Sequence, residues 1–183
     1  MYKFDKPNQV MRKVIELKNE LHLISLELLD PMISSFLELD NRYHLIAEYD
    51  DNRGSKKDKE ELENFEKLRD AAYTVCASRG YSFIQDPEIK RVERIEQLME
   101  YLDSNKIPFF GHVGIGVLHP CFKEGSNLKE FYNKILQLGG SVSGEHGIGL
   151  TKKQFVSKEE RQKLRLYKKQ YDPNNILNRG KIL

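Results

Sequence analysis

An acid and a base stand side by side in a short glycine-rich segment of this sequence. Residues 139–149 read Gly-Gly-Ser-Val-Ser-Gly-Glu-His-Gly-Ile-Gly, with Glu145 next to His146. Glycine serves where a backbone takes unusual dihedral angles or approaches a ligand closely, and a carboxylate beside an imidazole suits proton transfer or metal binding. The segment predicts a functional loop, although a glycine-rich connector with two exposed polar residues fits the same pattern.

A second segment carries two histidines, His112 and His119, at the ends of an apolar stretch that glycines interrupt. We interpret residues 107–119 as a strand with an irregular end. Residues seven positions apart face opposite sides of a regular strand. Gly114 and Gly116 permit a bulge or twist that brings both rings to one side.

With Glu145, these two histidines form a His₂–carboxylate set. That set is the usual arrangement of a catalytic zinc or a related divalent metal, which keeps one position open. His146 then lies beside the metal as a base. The alternative is that the histidines are half-buried strand residues whose nitrogens the backbone satisfies. The other two histidines, His22 and His44, are assigned to packing.

Composition bounds the class of protein. The 183 residues suffice for one large or two small domains with a buried core. The 30 basic and 28 acidic side chains are closely mixed and leave a net charge of +2, so no basic stripe indicates nucleic-acid binding.

No apolar run approaches the roughly 18 residues of a transmembrane helix, and the start lacks the hydrophobic core of a signal peptide. Cys76 and Cys121 form no Cys-x-x-Cys motif. We therefore expect a cytoplasmic protein.

Apolar periodicity and capping residues predict alternating helices and strands. The predicted strands are 21–29, 43–49, 81–85 and 107–119. The predicted helices are 8–19, 31–37, a long helix that follows a charged connection over 51–60 and ends near Ser78, one that starts at Asp86-Pro87, one capped by Ser126, and one that begins at the capping box 157–160 and ends before Asp172-Pro173. Some strands lie too close for a parallel crossover, which favours an α+β fold. We expect a single domain over residues 1–183, with a ferredoxin-like antiparallel sheet, helices on one face, and a C-terminal helical segment.

Three motifs, in the same order and spacing, resemble the C-terminal domain of FAD-linked oxidases. The family pattern is His-x-Gly-Asp-Gly-Asn-x-His, then Gly-Gly-x-x-x-Gly-Glu-His-Gly-x-Gly, then Asp-Pro-x-x-x-x-Asn-Pro-Gly-Lys. This chain offers residues 112–119, 139–149 and 172–181. Residues 26–30 also resemble the first strand of that domain. The family includes D-lactate dehydrogenase, the glycolate oxidase flavin subunit and D-2-hydroxyglutarate dehydrogenase.

The resemblance implies oxidation of a 2-hydroxy acid to a 2-oxo acid, with FAD as the electron acceptor. It implies that His112, His119 and Glu145 hold zinc or manganese, which acidifies the substrate hydroxyl. His146 is then the base that takes the hydroxyl proton. Four further residues are implied to bind the cofactor: Gly144, Gly147, Asn178 and Lys181.

The chain departs from the family pattern in three ways. The family's N-terminal, PCMH-type FAD-binding domain is not represented in these residues, so we expect FAD to be shared with a separate FAD-binding chain. Ile115 and Val117 replace the Asp and Asn of the first motif, and Arg179 replaces the Pro of the third. Three hypotheses stay open: the catalytic part of a two-chain 2-hydroxy-acid dehydrogenase, a non-catalytic subunit or degenerate fragment that keeps the fold, and a stand-alone metal-dependent hydrolase.

Overall fold

The computed structural model describes residues 1–50 and 56–181, and the secondary structure of that part consists of strands, α-helices and one 3₁₀ turn. The strands are β1 (Tyr2–Phe4), β2 (Leu23–Leu29), β3 (Tyr43–Tyr49), β4 (Phe83–Ile84), β5 (Phe109–His112) and β6 (Val117–Phe122). The helices are α1 (Pro7–Leu17), α2 (Pro31–Phe36), α3 (Lys56–Ser78), α4 (Val92–Ser104), α5 (Leu128–Gln137) and α6 (Lys158–Tyr171), with the 3₁₀ turn at Lys153–Phe155. None of the described helices is both long enough and apolar enough to span a membrane.

The strands form one sheet in the order β1-β3-β2-β5-β6-β4, and every neighbouring pair is antiparallel. The predicted α+β class and antiparallel sheet are confirmed. The predicted strand 43–49 coincides with β3. The predicted strand 81–85 shortens to β4, because only its two residues pair with β6. Residues 51–55 of the predicted charged connection lie outside the described residues.

Buried side chains form two clusters, one on each face of the sheet. Consecutive strand residues face opposite sides, so Phe109 belongs to the larger cluster and Phe110 to the smaller. Helices α1, α4 and α5 pack on the larger cluster, which agrees with helices on one face. Helices α2 and α3 contribute Ile33 and Cys76 to the smaller cluster. Helices therefore cover the second face of the sheet as well, in addition to the one face that the sequence predicted.

Two predicted helix starts, at Asp30 and at Ser157, are confirmed by their capping hydrogen bonds. The side chain of Asp30 caps α2 by accepting a hydrogen bond from the N–H of Ile33 at 2.6 Å. The hydroxyl of Ser157 caps α6 by accepting a hydrogen bond from the N–H of Glu160 at 3.1 Å. The predicted cap Ser126 is wrong by one residue. Asn127 caps α5 and accepts a hydrogen bond from the N–H of Lys129 at 3.1 Å.

The predicted helix start at Asp86 is wrong. Helix α4 begins at Val92, and residues 86–88 are extended, forming isolated bridges with Ser141, Ser143 and Val117. The carboxylate of Asp86 does not cap a helix, because it accepts N–H groups from residues 145 and 146 instead.

The predicted strand 107–119 is also wrong, because the chain reverses within it. Strands β5 and β6 form a tight hairpin joined by a turn at 113–116. Gly116 closes the turn with φ of +80°, a conformation that glycine adopts without strain. A Cβ atom at this position would lie 2.2 Å from the carbonyl oxygen of Ile89. The turn therefore requires glycine for its dihedral angle and for its packing.

We expect Gly116→Ala to lower the free energy of unfolding by about 3 kcal/mol, because a left-handed alanine costs about 1–2 kcal/mol and the clash adds a similar penalty. Chemical denaturation measures the loss. Gly125→Ala is the matched control: Gly125 has φ of +79°, and a Cβ there would meet nothing within 4 Å. Equal losses in the two variants would contradict the packing requirement.

Candidate metal centre

The β5–β6 hairpin places His112 and His119 on one face of the sheet. Phe110 pairs directly with His119, and residues paired across an antiparallel ladder share a face. His112 lies two residues after Phe110 and therefore shares that face as well. The two imidazole centroids lie 5.3 Å apart. A hairpin, and not the predicted bulge, brings the two rings together.

Glu145 completes a compact group with these histidines, which we call the His–His–Glu cluster. One carboxylate oxygen lies 3.4 Å from Nε2 of His112, and the other lies 3.7 Å from Nε2 of His119. One donor atom from each residue can be chosen so that all three lie within 4.8 Å of one another. The structure therefore places the three predicted ligand residues next to each other.

The donor atoms of the cluster fit a divalent metal. His119 is fully buried, and within the described part of the chain its Nε2 has no hydrogen-bond partner. Burial lowers the pKa of His119 to about 4, although the Glu145 carboxylate opposes the shift. The ring is then neutral at pH 7 and offers a lone pair. Two imidazole nitrogens and one carboxylate oxygen match a zinc or related site that keeps a position open.

Glu27 of β2 holds the ring of His112 from the other side. Its Oε1 lies 2.8 Å from Nδ1 of His112, and its side chain is 8% exposed. In a neutral ring, Nδ1–H donates to Glu27 and the Nε2 lone pair faces Glu145. A carboxylate behind a ligating histidine fixes the orientation of its ring. Glu27 was not among the predicted site residues, although a carboxyl group inside an apolar strand is a usable signal.

His146 lies on the open side of the cluster. Its ring stacks on His119 with centroids 5.2 Å apart and an interplanar angle of 11°. Its Nε2 lies 4.0 Å from the Glu145 carboxylate, and 42% of its side chain remains exposed. A partly exposed imidazole in this position can accept a proton from a group that binds over the cluster.

Asp86 holds the 139–149 loop in place. Its Oδ2 accepts the N–H groups of Glu145 at 2.8 Å and of His146 at 2.7 Å. Lys152 forms a buried ion pair with the same carboxylate, and burial lowers the pKa of Lys152 to about 8. Neither residue of the pair was predicted, because Asp-Pro also signals a helix start and a lysine in a polar stretch looks exposed.

The four residues predicted to bind the cofactor fall into two groups. Gly144 lies in the loop, where a Cβ would come within 2.7 Å of Val117 Cγ2, and Gly147 has φ of +77° in open space. Lys181 donates its N–H to the carbonyl of Asn178 at 3.1 Å in the C-terminal turn. Asn178 also lines a groove of about 680 Å³ between α6 and the C-terminal segment.

The two departures in the first motif have different surroundings. Ile115 lies in the hairpin turn and is 64% exposed, whereas Val117 begins β6 and is 2% exposed. Val117 packs under Gly144 of the loop. One departure therefore changes the surface beside the cluster, and the other changes the packing beneath the loop.

The chain belongs to the family described as FAD linked oxidases, C-terminal domain. The sequence pattern of this family matches residues 46–182, which include all three motifs. The resemblance seen in the motifs is therefore confirmed.

Named relatives are similar to parts of this chain. The glycolate oxidase subunit GlcD of Bacillus subtilis is 30% identical over 138 residues, which are 64% of this chain and 29% of that protein. D-2-hydroxyglutarate dehydrogenase of Haemophilus influenzae is 34% identical over 125 residues, 58% of this chain and 12% of that protein. D-lactate dehydrogenase of Archaeoglobus fulgidus is 39% identical over 85 residues, 40% of this chain and 19% of that protein. The chain spans less than a third of the length of these relatives.

We expect Glu27→Gln to weaken the binding of Zn²⁺ to the chain by about 10- to 100-fold, because a neutral amide orients the His112 ring less firmly. Calorimetric titration with Zn²⁺ measures the affinity. Glu48→Gln is the matched control, because Glu48 lies on the neighbouring strand and accepts a hydrogen bond from Ser25 at 3.0 Å. An unchanged affinity in Glu27→Gln would contradict the assigned role.

Proposed function

We propose that this chain is the substrate- and metal-binding part of a flavin-dependent 2-hydroxy-acid dehydrogenase of the D-lactate or glycolate type. The observation that carries the proposal is the convergence of His112, His119 and Glu145, with His146 stacked beside them. Membership of the FAD-linked oxidase family and the names of the relatives support the reaction class.

In this proposal, His112, His119 and Glu145 hold zinc or manganese. The chemistry that such a cation supplies is Lewis acidity toward a coordinated hydroxyl and carboxylate. The protein prepares the ligands: burial keeps His119 neutral, and Glu27 orients the His112 ring. Both ligand histidines stand on a paired hairpin, so their separation is fixed before the substrate binds.

His146 accepts the proton of the substrate hydroxyl. Its ring stacks on His119, and 42% of its side chain is exposed, so part of the imidazole is accessible to a substrate placed over the cluster. Bound FAD supplies the acceptor for two electrons. The residues of this chain provide the orientation and the base.

We propose that FAD is shared with a separate FAD-binding subunit. The family of this chain is described as a C-terminal domain, which supports an FAD-binding part outside these residues. Gly144 and Gly147 in the loop and Asn178 and Lys181 in the C-terminal turn are then the contacts to the flavin from this side.

A non-catalytic subunit that keeps the fold is the second candidate. Ile115 and Val117 favour it, because the family pattern that the first motif resembles has Asp and Asn at these two positions. Val117 is buried, so it supplies packing and no polar group. The two candidates differ in whether a complex that holds FAD oxidises a 2-hydroxy acid.

The purified chain is expected to carry about one equivalent of zinc or manganese, since three protein ligands suffice for a catalytic site. His112→Ala/His119→Ala should carry none, because two of the three ligands are lost. Elemental analysis by mass spectrometry measures both. His22→Ala is the control, since His22 is exposed and pairs with Asp50. No metal in the wild-type chain after reloading would refute the metal part of the proposal.

His146→Asn is expected to lower kcat by about 10²- to 10⁴-fold in the complex with the FAD-binding subunit, because a general base contributes a factor of that size. Metal content should not change, since His146 is not a ligand. Dye reduction with D-lactate and with glycolate measures the rate, and His22→Asn is the control. A wild-type complex that holds FAD and metal but reduces no dye with either substrate would favour the non-catalytic subunit.

A further inference from the structure

The carboxylate of Asp86 is fully buried and accepts hydrogen bonds from several groups of the 139–149 loop. Its Oδ2 accepts the hydroxyl of Ser143 at 2.8 Å and the N–H groups of Glu145 and His146 at 2.8 and 2.7 Å. Its Oδ1 faces the ammonium group of Lys152. Every one of these donors comes from a part of the chain that is remote in sequence.

The backbone around Asp86 also connects the loop to the hairpin. Glu88 and Ser141 exchange two backbone hydrogen bonds, at 3.1 and 2.9 Å. The N–H of Ile89 donates to the carbonyl of Gly116 at 2.8 Å. Residues 86–89 therefore contact both the loop that carries the glutamate and the hairpin that carries the two histidines.

Adjacent side chains on an extended strand diverge, yet Glu145 and His146 both reach the same site. Two consecutive N–H groups converge on one oxygen only where the backbone curls into a concave turn. The Asp86 carboxylate is the acceptor that such a turn requires. We propose that Asp86 is the positioning residue that makes Glu145 and His146 face one site, and that Lys152 is its buried counter-charge.

The ring of His146 supports the same role. Its Nδ1 lies 3.8 Å from Oδ1 of Asp86, so the carboxylate stands beside the imidazole as well as beneath its backbone. Lys152 is 6% exposed, and a buried carboxylate without a counter-charge would be strongly disfavoured. Lys152 thus allows a charged acceptor to exist inside the protein. Charge-assisted hydrogen bonds to backbone N–H groups are stronger than neutral ones.

The inference deepens the proposed function and rests on it where metal binding is concerned. A purely structural ion pair would be replaceable by two apolar residues with no effect on the loop. A positioning carboxylate is not replaceable in that way, because the two N–H groups lose their acceptor. The test therefore removes the carboxylate and the lysine charge together, so that no unpaired buried charge unfolds the chain.

Hydrogen exchange followed by NMR in the full 183-residue chain measures how well the backbone amides of the 139–149 loop are protected, and it needs no bound metal. In Asp86→Ala/Lys152→Met, the amides of Glu145 and His146 should exchange at least about tenfold faster than in the wild-type chain, because the charge-assisted bonds are lost. The amide of Gly144 is an internal control, since it donates to the backbone carbonyl of Asp86 at 2.7 Å. Unchanged exchange at Glu145 and His146 would overturn the proposal.

Co²⁺ titration adds a spectroscopic readout of the site. The affinity and the visible absorption band of the wild-type chain serve as the reference, and Asp86→Ala/Lys152→Met should bind Co²⁺ about 10- to 100-fold more weakly. Asp86→Asn/Lys152→Met should recover part of the affinity, because its amide oxygen still accepts an N–H. Asp30→Asn, at another buried carboxylate that accepts a backbone N–H, controls for lost stability and should bind like wild type.

The outcomes separate the two proposals. A wild-type chain that binds no Co²⁺ but shows the faster exchange in Asp86→Ala/Lys152→Met refutes the metal site and supports the positioning role. A wild-type chain that binds Co²⁺, with equal affinity in Asp86→Ala/Lys152→Met, refutes the positioning role and leaves the metal site standing.

Discussion

The site depends on the antiparallel pairing of β5 with β6 across the turn at 113–116. This pairing sets His119 opposite Phe110 and therefore on the same face as His112. The side-chain period of a strand is two, so a slip of one residue would send one histidine to the opposite face. Gly116 secures the register, because its turn packs against the carbonyl of Ile89. The hairpin thus fixes the positions of the two imidazole rings, and the carboxylates of Glu27 and Glu145 lie next to them.

The electrostatics of the site follow from burial. The carboxylate of Glu27 lies against the His112 ring, and that of Asp86 lies against the ammonium of Lys152, so each buried acid has a donor. Glu145 differs, because its oxygens lie 3.4 and 3.7 Å from the nearest imidazole nitrogens, which is longer than usual hydrogen bonds. A carboxylate held at that distance from two imidazole nitrogens leaves room for a cation among them. The fold thus gives each supporting carboxylate at least one donor, although Oε2 of Glu27 has no hydrogen-bond partner among the described residues, and it leaves the Glu145 carboxylate available.

Sequence reasoning succeeded where the cause of a structure is local. The aromatic and aliphatic run at 43–49 became a strand over those residues, and Asp30 caps its helix through an N–H three residues away. It failed where a distant partner decides. Asp86 carries the same Asp-Pro signal, but its acceptor oxygen bonds to N–H groups 59 and 60 residues later. The apolar continuity of 107–119 hid a chain reversal, since the turn at 113–116 reads Val-Gly-Ile-Gly and contains no polar side chain. Glu27 was not predicted as a site residue, because its contact with the His112 ring depends on the pairing of β2 with β5.

The departures from the family motif alter the surroundings of the ligands and leave the ligand set intact. Val117 is buried beneath the loop, with its Cγ2 only 2.7 Å from where a Cβ at Gly144 would lie. An apolar side chain suits that position, because a buried amide there would need hydrogen-bond partners of its own. Ile115 is exposed in the turn, so it changes what the site presents outward. Neither residue contributes an atom to the His–His–Glu cluster. The physical consequence of these substitutions is therefore an apolar side chain on the surface of the turn and apolar packing beneath the loop, while the three residues of the cluster are unchanged.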